Sequence, residues 1–224
     1  MRTAAIVFAR RPLAGRAKTR LAPALGEQGA AALAEALAGD ALAAAAACPG
    51  AVPVLAVDDD WAPAGFEGVA RVAQGPGDLG ARLERVLTWA IASFGAGIAL
   101  GADTAGLDPA RITALGAALA HADVAIGPAE DGGYWGLGAR RCPPGWLAGV
   151  RWSVPQTRAD TLFAAASAGL LPALGPTGWD VDLPDDLDRL GVLLRDPRVI
   201  APRTRAALSA RADPPHRAGG GPRG

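Results

Sequence analysis

Sulfur and imidazole are scarce in this chain. It holds two cysteines, Cys48 and Cys142, and two histidines, His121 and His216, in 224 residues. Two scattered cysteines make neither a disulfide framework nor, with these histidines, a zinc site. Charge of one sign is also missing: Lys plus Arg number 22, and so do Asp plus Glu. That balance argues against a broad nucleic-acid binder or a membrane-surface binder, leaving room for a local basic site. No uninterrupted apolar run is long enough for a bilayer, because Glu35 and Asp40 break the alanine-rich stretch before Cys48. The first residues, M-R-T-A-A-I-V-F-A-R, carry only a short apolar run before Arg10 and Arg11, unlike a signal peptide. A cytoplasmic protein without nucleic-acid or membrane partners is the expectation.

Half of the residues are apolar, and the length suits one domain with a sizeable core. The pattern predicts a single domain over residues 1–211. The tail 212–224, A-D-P-P-H-R-A-G-G-G-P-R-G from Ala212 on, reads as disordered.

Short apolar runs alternate with helical patterns, as in an open α/β sheet. Ala4–Ala9, Val52–Val57, Val69–Ala73, Gly97–Gly101 and Asp123–Gly127 read as strands. Helices are expected over Glu27–Ala47, with a break near Gly39, from Asp78 through Leu87, over Pro109–Ala120 and over Gln156–Gly169. Alternation in W-D-V-D, residues 179–182, suits a short strand with Asp180 and Asp182 on one face.

In open α/β sheets ligands bind outside the carboxyl ends of strands. Asp103, in L-G-A-D-T-A-G-L (100–107), sits at such an end, where a carboxylate can hold a hard divalent cation. It equally suits a turn or a cap for the helix near Pro109. The loop R-R-P-L-A-G-R-A-K-T-R-L (10–21) follows the first strand and carries Arg10, Arg11, Arg16, Lys18 and Arg20. Guanidinium forks and an ammonium there would make a phosphate site, although the loop is not a Walker loop. The glycine loop Q-G-P-G-D-L-G (74–80) opens a helix that Asp78 can cap. G-P-A-E-D-G-G-Y-W-G-L-G (127–138) places Glu130, Asp131 and two aromatics around Gly132 and Gly133, as in a substrate pocket or a plain hairpin turn. Asp58, Asp59 and Asp60 read as a solvated turn, and Asp182 as a candidate ligand or a helix cap before Pro184.

Taken in order, F-A-R-R-P-L-A-G-R-A-K-T-R-L-A-P, Q-G-P-G-D-L-G-A-R-L, L-G-A-D-T-A-G-L, G-P-A-E-D-G-G-Y-W-G-L and D-V-D-L-P-D-D-L resemble a bacterial group of small GT-A-type transferases. Members of that group are often labelled glycosyltransferases, one of them linked to arsenosugar biosynthesis. The likeness covers roughly residues 4–190. The chain is more distantly similar to phospholactate guanylyltransferase and the molybdenum cofactor guanylyltransferases.

The resemblance implies a three-layer α/β/α, Rossmann-like GT-A fold with a mixed, mostly parallel sheet. It implies that Arg16, Lys18 and Arg20 hold nucleotide phosphates, with Gly77 and Asp78 near the base or ribose. Asp103 and Asp182 would bind Mg²⁺ or Mn²⁺, with Asp180 assisting. Asp131, Gly132, Gly133 and Tyr134 would face the acceptor, with Asp131 or Glu130 as a base. One departure is Ala105, where the group usually has proline.

Two reactions fit these roles. In nucleotidyl transfer, a nucleoside triphosphate passes its nucleoside monophosphate to a small phosphorylated or phosphonylated acceptor and pyrophosphate leaves, with Lys18 and Arg20 stabilising charge. In metal-dependent glycosyl transfer, the donor is a nucleotide sugar. The basic loop favours the first. A non-catalytic nucleotide-binding protein on the same fold is a third reading.

Overall fold

The computed structural model describes residues 2–210. The tail expected to be disordered lies outside the described residues. The strands are β1 (Thr3–Phe8), β2 (Ala51–Ala56), β3 (Ala70–Val72), β4 (Gly97–Gly101), β5 (Val124–Pro128), β6 (Tyr134–Ala139) and β7 (Pro172–Leu174). They form one seven-stranded sheet in the order β3-β2-β1-β4-β6-β5-β7. β6 runs antiparallel to both of its neighbours, and the other pairings are parallel.

Helices cover both faces, which explains the unbroken apolar character of β1. Ala5 and Val7 meet Ala41 and Leu42 of α1 (Ala22–Ala47) and Ile112 and Leu115 of α3 (Pro109–Ala118). Ala4 and Ile6 point the other way, onto Val86 and Ala90 of α2 (Leu79–Phe94). α4 (Thr157–Ser167) shares the α2 face, where Ala165 joins Leu83, Ile126 and Leu137. Leu187 and Leu190 of α5 (Pro184–Leu193) pack with Leu33 and Leu37, and α6 (Pro202–Ser209) crosses α1. The expected three-layer, mixed and mostly parallel α/β fold is the observed one.

Several local expectations need correction. α1 does not break at Gly39. The break is at Gly26, at φ 72° and ψ 162°, just before the predicted start at Glu27. Gly39 instead lets α6 approach: a Cβ there would lie 2.6 Å from Arg203 Cδ. Residues 19–47 are long and apolar enough, by composition, to cross a membrane despite Glu35 and Asp40. In this fold 67% of the most apolar window is buried. A helix packed on several sides is apolar all round.

W-D-V-D forms no strand, and its region makes only single bridges, Thr104 to Asp180 and Ala129 to Gly178. The motif read as a pocket loop contains β6, whose glycines let α3 close on the sheet. A Cβ at Gly136 would stand 3.0 Å from Leu115 Cδ2.

Candidate functional site

The chain leaves β1 toward β2 on one side and β4 lies on the other, so the crevice between β1 and β4 is the topological switch point. A cleft of about 1090 Å³ opens there. The basic loop forms one wall, with Arg10, Arg11, Arg16, Lys18 and Arg20. Gly77, Asp78, Leu79 and Arg82 form another, and Asp103 and Asp182 lie at the β4 side.

Lys18 organises this cleft. It is the only lysine in the chain. Its Nζ donates to Asp103 Oδ2 at 2.8 Å and to Asp182 Oδ1 at 2.6 Å. Its backbone is left-handed, at φ 45° and ψ 45°, directly before the short 3-10 turn Thr19–Leu21 that leads into α1. Such backbone persists in a non-glycine residue only when its surroundings hold it. Burial opposes the lysine's charge, but the pull of Asp103 and Asp182 outweighs burial and its pKa rises.

Both carboxylates are free of capping duty. Asp108, not Asp103, caps α3 by accepting from Arg111 N at 2.8 Å. Asp186, not Asp182, ties the start of α5, accepting from Asp182 N and Leu183 N at 2.8 and 2.6 Å. Asp182 is thereby held with its side chain toward the cleft. Asp180 accepts from Thr104 Oγ1 at 3.0 Å. Burial, then repulsion from Asp103, pushes its pKa up to about 7.

Two carboxylates converging on one cationic atom are oxygen donors of the kind a hard divalent cation uses. Among the described residues no three His, Cys, Asp or Glu side chains group as a metal cage. That donor set fits Mg²⁺ or Mn²⁺ completed by water and phosphate oxygens, the usual arrangement for Mg²⁺.

The glycine loop is stitched down rather than flexible. Gln74 Nε2 donates to Ala9 O and Ala56 O, each at 2.8 Å, joining the ends of β1 and β2. Asp78 caps α2 through Ala81 N at 2.9 Å, and Arg82 Nε holds Gly77 O at 2.9 Å. Asp58 and Asp59, read as a solvated turn, are exposed but also line the cleft. So do Gln74 and Arg82, which the sequence reading assigned no role. The usable signal was position: Asp58 follows β2 and Gln74 follows β3.

The second loop lies apart from this cleft's lining. Asp131 is exposed and accepts from Gly133 N at 2.8 Å. It is near enough to Asp180 to help raise that residue's pKa. Gly132, at φ 91°, lies against the Pro155 carbonyl, where a Cβ would fall within 2.0 Å. Glu130 is bound by Arg189 at 2.7 and 2.6 Å, which lowers its pKa, and Arg189 stacks on Trp179 at 4.1 Å. Trp135 is a core residue whose Nε1 donates to Pro176 O at 2.9 Å. Tyr134 packs edge-on to Trp152 at 6.3 Å between centroids, and burial drives its pKa up.

Residues 27–154, more than half of the chain, match a family described as an uncharacterized protein conserved in bacteria, DUF2064. The chain belongs to this family. The DUF2064 protein is similar to a candidate nucleotide-diphospho-sugar transferase from Desulfovibrio desulfuricans G20, at 26% identity and TM-score 0.82, over 95% of this chain and 96% of that one. Its fold is shared with 2-C-methyl-D-erythritol 4-phosphate cytidylyltransferase from Thermus thermophilus, at 16% identity and TM-score 0.53, over 87% and 100%. CMP:2-keto-3-deoxy-manno-octonic acid synthetase, solved with CTP, shares it at 12% identity and TM-score 0.51, over 87% and 99%. No curated protein matches the chain.

Proposed function

We propose that this enzyme is a metal-dependent nucleotidyltransferase that joins a nucleoside monophosphate, taken from a nucleoside triphosphate, to a small phosphorylated or phosphonylated acceptor. The observation that carries this reading is the meeting of Lys18 with Asp103 and Asp182 inside a cleft walled by the four arginines of the loop after β1. Arg16, Lys18 and Arg20 bind the phosphates, the arginines by paired N–H groups and the lysine as a compact charge. Gly77 and Asp78 bound the base or ribose end. An acceptor oxygen attacks the α-phosphorus, the bond to the bridging oxygen breaks, and pyrophosphate leaves. Such chemistry depends on positioning and charge neutralisation. Lys18 and Arg20 neutralise charge building on the leaving group. Asp103 and Asp182 would hold Mg²⁺ or Mn²⁺, which when bound supplies further neutralisation of the phosphates. Asp131, Gly132, Gly133 and Tyr134 form the acceptor side, and the protein works in the cytoplasm.

The likeness to the D. desulfuricans protein favours a second reading, glycosyl transfer from a nucleotide sugar. There Asp131 serves as the base, because Glu130 is already bound by Arg189. Thermal shift with Mg²⁺ or Mn²⁺ separates the two. Stabilisation by triphosphates, about 2.7 kcal/mol at a hundredfold excess over Kd, followed by pyrophosphate release with an acceptor, supports nucleotidyl transfer. Stabilisation by nucleotide sugars alone overturns it in favour of the second.

A further inference from the structure

We propose that Lys18 is the resident occupant of the cation site, and that a divalent cation enters only when a polyphosphate draws the lysine away. The inference rests on the proposed nucleotide reading of the cleft. The lysine ammonium stands at the point where the Asp103 and Asp182 carboxylates converge, 2.8 and 2.6 Å from their oxygens. A cation bound to both would need roughly 2.0–2.6 Å to the same oxygens. A cation at that point of convergence would take the ammonium's own position, and the two cannot share it.

The lysine side chain is only 11% exposed, and the carboxylates are its sole hydrogen-bond partners among the described residues. Four exposed arginines line the cleft beside it. An anion seated among them offers Lys18 a replacement partner and vacates the carboxylates in the same movement. In a chain that otherwise uses arginine wherever it carries a permanent positive side chain, a lysine here is intelligible. Its charge sits on one atom at the end of a flexible stem, whereas a guanidinium is a rigid fork. Cation and polyphosphate therefore bind as a coupled pair, each raising the other's affinity by the same factor.

The test measures Mn²⁺ binding without nucleotide, by electron paramagnetic resonance of the free ion, for the wild type and Lys18→Met. Lys18→Met should bind Mn²⁺ about 5- to 150-fold more tightly, the usual range for such coupling. Asp103→Asn in that background should abolish the gain. No gain in Lys18→Met, whether both proteins bind equally or neither binds, overturns the inference. A gain that survives Asp103→Asn places the metal elsewhere and overturns the assignment of Asp103 instead.

A second measurement leaves the chain unaltered. ¹⁵N-lysine labels a single side-chain ammonium in the described protein. Its signal should stay put with Mg²⁺ alone and move with inorganic tripolyphosphate. Movement with Mg²⁺ alone overturns the inference. If tripolyphosphate leaves the signal unmoved, the phosphate reading of the cleft fails.

Discussion

Lys18 and Asp182 are separated by 164 positions in the chain and touch at 2.6 Å. The contact draws the loop after β1 against the segment that leads into α5. It brings the proposed phosphate-binding and metal-binding groups together at one atom. Replacing Lys18 therefore acts on both. Lys18→Ala should raise the barrier by about 2.7–4 kcal/mol, by analogy with loss of one donor to developing charge. Pyrophosphate release under saturating substrate checks this, and Lys18→Arg should rescue it poorly because a rigid planar fork does not swing between carboxylates and phosphate as a single ammonium on a flexible stem does.

Gly132 has a steric reason to be glycine. At φ 91° its missing Cβ would fall 2.0 Å from the Pro155 carbonyl oxygen. Gly132→Ala should destabilise the protein by about 1–3 kcal/mol, read as a fall in Tm of about 2–4 °C per kcal/mol. An unchanged Tm would mean that the loops at 131–133 and 151–155 part freely.

Asp180 makes stability depend on pH. Its folded pKa, about 7, lies above the ordinary carboxylate value, so the folded state binds the extra proton. Its contribution is fully present below about pH 4 and is lost as pH rises through about 7. Asp180→Asn should flatten that decline, raising Tm at pH 8 relative to wild type by more than at pH 5. Parallel Tm curves for the two proteins would contradict the assignment.

Asp186 acts on the site at one remove. It accepts from the backbone N–H of Asp182 and Leu183. Asp186→Ala should cost about 0.5–2 kcal/mol as a lost cap, and should weaken Mn²⁺–nucleotide binding by freeing Asp182. Chemical denaturation and a titration measure the two effects separately. Weakened binding that Asp186→Asn restores would tie the effect to the cap.

The sequence by itself determined the alternation of strands and helices in this protein and most of its elements. β1 and β4 are buried on both faces, so they read as continuous apolar runs, and Asp78 announces α2 as an N-cap. It also marked Lys18 and Asp103 as residues at strand ends, where α/β sheets bind ligands. Tertiary structure alone decided three things. It showed β6 to be a strand, because Gly136 and Gly138 are there for the approach of α3 rather than for strand propensity. It separated Glu130, bound by Arg189, from Asp131. And it showed that Asp108 and Asp186, not Asp103 and Asp182, do the capping. Capping is local and leaves a mark within four residues. The convergence of residues 18, 103 and 182 is set by sheet order, which no local pattern encodes.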